Sequence, residues 1–507
     1  MSPSKYQTAV YDWAVKGKGN LVINASAGSG KTTTLIELLK GVKGNQIVLA
    51  FNKKIQLEMQ FKLQSANLKA EASTVHSLCY AAYRQNNRKV TVDDKKLQYI
   101  LQNSLNDNEY KTYGFFVNKL IRLAKDDGAV LFWPISDVSE WNRLIIHHDL
   151  MLEEEGDINK AIEISIKALE ANNNNLSTID FSDMIYLTML KGYIMPKFDW
   201  VLVDECQDLS RLRQAVCKSI QHDNTRYVFV GDRGQAIYGF TGADAEGMDN
   251  LIKDFNATEL PLSTCYRCSK AVINHVKQWY ANIEPSAAAQ EGAVSALEYS
   301  TFMDTAERLN LTHKDAILCR TNAPLLRTAF SLIKKGIACR IEGRDIAQGL
   351  INVIGKWNVA NLSTLETRLE TYLEREVQKA NTKGNDTVAG VVTDKVECIR
   401  ACIMKCYQDG KTKVSDLKQL IESMFSNSDD KYSRKDLLTL CSVHKSKGLE
   451  WERVYLLGRE DYMPSRWAKK DWMKVQETNL IYVAITRAKQ ELIEVQNVSA
   501  YLKGKSE

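Results

Sequence analysis

The clearest chemical pattern in the sequence is the run Ala25-Ser26-Ala27-Gly28-Ser29-Gly30-Lys31-Thr32-Thr33. Glycines at this spacing let backbone N–H groups converge on phosphate oxygens, and a helix opening at Lys31 adds the partial positive charge of its N-terminus. Lys31 has the reach and charge for β- and γ-phosphates, and the Thr32 hydroxyl suits Mg²⁺. The strict pattern has Gly at the first position, where this chain has Ala25. A second group stands far downstream. The run Phe198-Asp199-Trp200-Val201-Leu202-Val203 predicts a buried strand that ends in Asp204-Glu205. After a phosphate loop, such a pair supplies one carboxylate to the metal and another to the attacking water. The next apolar run, Arg226 to Val230, ends in Gly231-Asp232-Arg233-Gly234-Gln235. The chemistry implied is binding and hydrolysis of a nucleoside triphosphate.

Such groups need elements that hold them. Leu21 to Ile23 predicts a short buried strand, and Leu35, Ile36, Leu38 and Leu39 continue a helix beyond Lys31. Gln46 to Phe51 predicts another buried strand, and Ser73 to Ser77 a further strand-like piece. Residues 5–16 predict an amphipathic helix with Ala9, Val10 and Trp13 on one side. Gln7 on that helix carries an amide able to read an adenine edge. Residues 78–180 are helical in pattern and poor in Gly, which predicts an inserted subdomain. Its clusters Arg84-Arg88-Lys89 and Lys119-Arg122-Lys125 read as solvated faces, with nucleic-acid contact as the alternative. Asn172 to Asn175 reads as a surface loop. The α/β pattern resumes at 181–256 and recurs at 257–349 and 437–507, around a second helical and polar stretch at 350–436. The expected fold class is α/β, with two α/β domains that each carry a helical insertion. The second would bring Arg267 and Arg487 on loops, as arginine fingers that act when a cleft closes.

Composition bounds the rest. A chain of 507 residues is too long for one core, so two to four domains are expected. A net charge of +5 is mildly basic and compatible with nucleic acid. No apolar run reaches membrane-span length, and MSPSKYQ lacks a signal-peptide core. Eleven cysteines then fit reduced thiols in a cytosol-like compartment, the cytoplasm of a bacterium or a phage-infected host.

Taken together, the motifs resemble those of the UvrD/Rep/PcrA branch of superfamily 1 DNA helicases. The match runs from Gln7 to Lys489 in the family's order: ASAGSGKT at 25, DECQD at 204, VGDRGQAIYGFTGA at 230, YRCS at 266, VHKSKGLEW at 443 and YVAITRAK at 482. AFNKK at 50 and STVHSL at 73 look closest to the F-box-helicase side of the family. The resemblance implies two RecA-like P-loop domains, ATP and Mg²⁺ as cofactors, and 3′→5′ movement along single-stranded DNA with unwinding at single-strand/duplex junctions. It also implies roles. Gln7 would read adenine, Tyr266 would stack on it, and Glu450 would touch the ribose. Ala27, Gly28, Ser29, Gly30, Lys31, Thr32 and Thr33 would hold phosphate, with Thr32 and Asp204 on the metal. Glu205 would orient water, Gln235 would sense the γ-phosphate, and Arg267 and Arg487 would neutralise it. Phe51, Asn52, His76, Tyr238, Phe240, His444 and Arg466 would contact DNA.

The sequence departs from the family pattern in places. Thr241 stands where many relatives have Arg, and Arg233-Gly234 replaces an acidic pair before Gln235. The second insertion is short and the chain ends soon after the last motif, which suggests a compact, phage-encoded enzyme, a monomer or weak oligomer working beside replication or repair proteins. Cys265 and Cys268 form a CxxC without a second pair, and Cys398, Cys402 and Cys406 share a helix face. The latter read as a packing stripe, with a metal cluster as the alternative. Phe51 and Phe240 read either as core aromatics or as platforms on which bases stack. Two further functions fit the motifs: an ATP-gated DNA-binding factor that does not unwind, and a motor on RNA.

Overall fold

The computed structural model describes residues 2–148, 150, 152, 156–237, 247–382, 386–426 and 437–504. The chain divides into two compact units, Met1–Thr264 and Cys265–Glu507. Each is built on one parallel sheet.

The first sheet has strands β1 (Asn20–Ala25), β2 (Gln46–Ala50), β3 (Glu71–Thr74), β4 (Trp200–Val203), β5 (Arg226–Gly231) and β6 (Ala257–Leu262). Their order is β3-β2-β4-β5-β1-β6 and every pairing is parallel. Parallel strands are covered on both faces, so they read as continuous apolar runs rather than alternating ones. The alternation is nonetheless present in space. Leu21, Ile23, Val228 and Val230 pack with Val10, Leu35 and Leu63, whereas Val22, Val201, Val203 and Phe229 pack with Val75, Ile185 and Leu212. The first face is covered by α1 (Lys5–Lys16), α2 (Lys31–Lys40) and α3 (Lys53–Ser65). The second is covered by α4 (Val75–Asn86), α9 (Phe181–Leu190) and α10 (Arg211–Ser219), and the inserted helices α5 (Lys96–Ser104), α6 (Asp107–Asp127), α7 (Val138–His147) and α8 (Ile158–Asn174) join the same apolar core, with α6 packed on α9 and α10.

Several local expectations need correction. The boundary expected at 256/257 moves to 264/265, because Ala257–Leu262 pairs with β1 as the edge strand. Ser73–Ser77 is half strand and half helix: Thr74 ends β3, and its hydroxyl accepts from Ser77 N as the N-cap of α4. On α1 the buried positions are Gln7, Val10 and Ala14, with Ala9 exposed. Asn172 to Asn174 are not loop but the last turn of α8, with Asn172 and Asn173 buried. Lys125 is not on a solvated face. It is fully buried, and its Nζ donates to Asp183 Oδ1 at 2.7 Å and to Asp180 Oδ2 at 3.3 Å. Lys96 is buried beside it, 2.8 Å from the other oxygen of Asp183.

In the second unit a seven-stranded sheet runs β7 (Ala293–Glu298), β13 (Ala488–Gln496), β12 (Trp451–Leu457), β8 (Asp315–Cys319), β11 (Leu438–Ser442), β9 (Cys339–Glu342), β10 (Phe425–Ser426). All its pairings are parallel. The helical stretch expected at 350–436 begins slightly earlier, with helices Arg344–Ile354, Leu362–Thr382, Asp386–Gln408 and Val414–Met424. Cys398, Cys402 and Cys406 are buried in the core these helices share with Leu369, Leu417 and Phe330.

Candidate nucleotide site and strand-binding edge

The loops that follow β4, β5 and β1 leave three neighbouring strands of the first sheet at their carboxyl ends. Ligands of open parallel sheets bind at such ends. After β1 the chain turns through Gly28 (φ 65°) and Gly30 (φ 79°), left-handed conformations that a side chain would strain. Gly30 is the N-cap of α2, so the amides of Lys31 and its successors begin the helix and face its open end. Ala27 and Ser29 are buried, Lys31 and Thr32 are half-buried, and Thr33 is exposed. Ser29 Oγ is buried without a hydrogen-bond partner.

Lys31 Nζ donates to Glu205 Oε1 at 2.7 Å, across 174 positions of sequence. Burial alone would lower the pKa of Lys31, but the carboxylates of Glu205, Asp204 and Asp232 outweigh it and raise the pKa above the ordinary lysine value. Asp204 is 6% exposed, and burial followed by the neighbouring Glu205 charge pushes its pKa up to about 6. Glu205 sits at φ 53°, ψ 43°, a left-handed conformation unusual for a residue with a side chain. Its N–H donates to Asp204 Oδ1 at 3.0 Å. The strained backbone stands where the Glu205 carboxylate meets the phosphate loop, and strained residues of this kind gather at functional sites.

Two residues that the sequence did not single out join this group. Gln207 Nε2 donates to Glu205 Oε2 at 2.7 Å, and Gln207 Oε1 accepts from Asp232 N at 3.1 Å. Asp232 Oδ2 in turn accepts from Gln235 Nε2 at 2.7 Å. Both stand inside quoted motifs, DECQD and VGDRGQ, so the signal was present but unassigned. Gln7 is buried at the third position of α1. Its Oε1 accepts from Ser4 N at 3.0 Å and its Nε2 donates to Thr34 Oγ1 at 3.1 Å, which ties α1 to the phosphate-loop helix.

The residues expected to touch DNA in this unit follow β2 and β3, farther along the same edge. Phe51, His76, Asp204, Leu209 and Arg213 line one small cleft. Phe51 is exposed, so it is not a core aromatic, and the Arg213 guanidinium lies 5.7 Å from its ring centre. Asn52 caps α3, accepting from Ile55 N at 2.9 Å. Burial, then Arg213, pushes the pKa of His76 down to about 4. Tyr238, Phe240 and Thr241 lie outside the described residues.

In the second unit, Glu450 precedes β12 and Arg487 precedes β13, and these strands pair with Trp451 opposite Ala488. Arg267 Nε lies 2.5 Å from Glu450 Oε2. Tyr266 is 39% exposed. Arg487 is buried, contrary to the picture of a finger on an open loop. Its guanidinium donates to the carbonyls of Val483 (2.9 Å) and Leu449 (3.1 Å) and to Thr486 Oγ1 (3.1 Å). His444 is half-buried after β11, and burial, then Arg320 and Lys445, pushes its pKa down to about 3. Arg466 is exposed, with its guanidinium 4.7 Å from the ring centre of Trp467. The loop carrying it is pinned by Ser465 N to Glu477 Oε2 at 2.9 Å, and Glu477 also pairs with Arg320 at 2.7 Å.

A loop of amides, a lysine held among carboxylates and an acidic pair on adjacent parallel strands have the makings of a phosphate-transfer site, and the first unit has the parallel α/β architecture of a P-loop nucleoside-triphosphate-binding domain. The second parallel α/β unit has the same architectural class. Comparison with known proteins narrows this. Residues 9–256 match the UvrD/REP helicase N-terminal domain, and residues 437–494 match the UvrD-like helicase C-terminal domain. The chain is 23% identical over 593 residues to a probable DNA helicase II homolog of Mycoplasma pneumoniae, covering 94% of this chain and 82% of that one. It is 21% identical to an ATP-dependent DNA helicase PcrA of Leuconostoc citreum, covering 97% and 81%. It is 20% identical to a DNA helicase II of Haemophilus influenzae, covering 94% and 81%. The chain belongs to the UvrD/Rep/PcrA-like helicases.

Proposed function

We propose that this protein is an ATP-dependent DNA helicase that moves 3′→5′ along single-stranded DNA and opens duplex at junctions. The carrying observation is the 2.7 Å contact between Lys31 and Glu205, with Asp204 beside them at the carboxyl ends of the strands. A lysine that must neutralise a transferring phosphoryl group and a carboxylate that must orient water are thereby brought to one point. The phosphate loop supplies Ala27 to Thr33, and the partnerless Ser29 hydroxyl is the kind of buried group a phosphate oxygen satisfies.

Thr32 and Asp204 would hold Mg²⁺. Their hydroxyl and carboxylate oxygens fit a hard cation, which when bound offsets the charge of the β- and γ-oxygens. Gln235 senses the γ-phosphate, and Gln7, Tyr266 and Glu450 hold the nucleoside. Arg267 and Arg487 act on the transferring group, a role supported by the YRCS and TRAK motifs. Phe51, Asn52, His76, Tyr238, Phe240, His444 and Arg466 contact the strand. For Phe51, exposure beside a cationic side chain supports a stacking platform, worth about 1–3 kcal/mol per base. The working form is a monomer or weak oligomer in the cytoplasm, with replication or repair proteins as partners. Among the described residues no helix is long and apolar enough to cross a membrane.

The test is ATP turnover with poly-dT and with poly-U, beside unwinding of a 3′-tailed and a 5′-tailed duplex. Stimulation by poly-dT, unwinding of the 3′-tailed substrate and loss of both in Lys31→Ala are expected. Greater stimulation by poly-U would move the substrate to RNA. Turnover without unwinding would favour an ATP-gated binding factor.

A further inference from the structure

Glu205 is fixed on one side by Lys31, but a carboxylate has two oxygens, and the second must also be held if a water is to meet it in one orientation. That second contact comes from Gln207, which is 2% exposed. Its amide can take only one orientation. Nε2 donates to Glu205 Oε2 at 2.7 Å and to Asp208 Oδ2 at 3.3 Å, while Oε1 accepts from Asp232 N at 3.1 Å. Flipping the amide would set its oxygen against a carboxylate and its NH₂ against an N–H.

The neighbouring strand is shaped around this side chain. A Cβ at Gly231 would stand 2.5 Å from Gln207 Oε1, 2.8 Å from Cys206 Sγ and 3.1 Å from Gln207 N. Gly231 is therefore needed for close approach rather than for an unusual backbone conformation. The contact continues beyond it. The Asp232 carboxylate, fully buried, accepts from Gly234 N at 3.0 Å and from Gln235 Nε2 at 2.7 Å. One unbroken chain of hydrogen bonds thus runs Lys31, Glu205, Gln207, Asp232, Gln235.

The geometry points to Gln207 as a positioning residue for ATP hydrolysis. It orients the Glu205 carboxylate and ties it to the loop that carries Gln235, so that the residue facing water and the residue facing the γ-phosphate move together. This rests on the ATP-hydrolysing reading of the site. Gln207 need not touch the nucleotide; it acts through Glu205.

Two substitutions separate this role from packing. Gln207→Met keeps the length and volume and loses every hydrogen bond. Gln207→Glu keeps an acceptor for Asp232 N but replaces the donor to Glu205 with a second carboxylate oxygen. In DNA-stimulated turnover, both should lose about 10²-fold in kcat per folded molecule, with the KM for ATP within about threefold, the pattern for a contact that matters in the transition state. In a Glu205→Gln background, Gln207→Met should cost less than about threefold more, because its effect passes through the missing carboxylate. A Gln207→Met enzyme with normal kcat per folded molecule overturns the proposal, whatever its melting temperature. So does a full additional loss in the Glu205→Gln background, which would place its action elsewhere. Wild-type protein that hydrolyses no ATP would fail the functional reading itself, and this inference with it; active wild type beside an equally active Gln207→Met fails this inference alone.

Discussion

Arg487→Ala tests whether one side chain carries two loads. As a finger on the transferring phosphoryl group, Arg487 would be worth about 10³-fold or more in kcat. The structure adds a second load. The side chain is 1% exposed and its guanidinium donates to Val483 O, Leu449 O and Thr486 Oγ1, all within the second unit. Burial, then the nearby Arg267, lowers its pKa to about 10, which leaves it charged at neutral pH. Truncation takes donors from two buried carbonyls, at about 1–3 kcal/mol each, and leaves space where the side chain packed. Two such carbonyls together with the lost packing sum to a loss of about 3–5 kcal/mol. At about 2–4 °C per kcal/mol for a unit of this size, the melting temperature of the second unit should fall by about 6–20 °C. Circular dichroism melting and ATP turnover on one preparation read both loads. Arg487→Lys, which keeps charge but loses the planar fork, should recover part of the melting temperature and little of kcat. Unchanged melting in Arg487→Ala would refute the structural load, and normal turnover per folded molecule would refute the finger.

Other perturbations act on other links. Glu205→Gln should bind ATP normally and lose about 10²-fold or more in single-turnover hydrolysis, since one amide cannot accept from both Lys31 and Gln207 as the carboxylate does; normal turnover would remove Glu205 from the mechanism. Lys125→Met should cost about 3–5 kcal/mol in urea unfolding, because Asp180 and Asp183 stay buried with a partner gone; an unchanged urea midpoint would show that Lys96 suffices. His444 stays neutral in the fold down to about 3 while the unfolded chain takes up its proton near 6.5, so the unfolded state binds more protons in that window. Stability should therefore fall as pH drops from 6.5, and His444→Gln should flatten that slope in denaturant titrations at pH 7 and 5.

The parts of this molecule legible in the sequence are those encoded locally. The phosphate loop announces itself because backbone curvature, helix start and lysine lie within a few residues. The strands of the first sheet announce themselves because parallel strands covered on both faces must be apolar throughout, as Trp200–Val203 is. Boundaries were less legible. Ala257–Leu262 carries Glu259 and Pro261 and has exposed positions, so it does not read as part of a buried sheet, yet an edge strand tolerates both. The start of α4 was hidden because Thr74 serves as the last residue of a strand and as the cap of a helix.

What was not legible depends on contacts between distant positions. Lys125 follows Lys119 and Arg122 along one helix, and a charge cluster on a helix is ordinarily a solvated face. Only the fold shows that α6 turns Lys125 inward, where Asp180 and Asp183, the cap and third position of α9, meet it. Those carboxylates also do local work: Asp180 Oδ1 accepts from Asp183 N at 2.7 Å, and Asp183 Oδ2 accepts from Asp180 N at 3.2 Å. One capping box thus satisfies the start of a helix and, with its remaining lone pairs, two buried lysines from the insertion. The same economy holds at the nucleotide site. Gln207 lies two residues from Glu205 in sequence, but its partner Asp232 is supplied by the next strand of the sheet. A motif letter states which side chain is present; the sheet order decides what it can reach. The insertion is therefore tied to α9 by a charged cluster in which each buried lysine meets a carboxylate, and removing either lysine leaves its carboxylate partners buried without it.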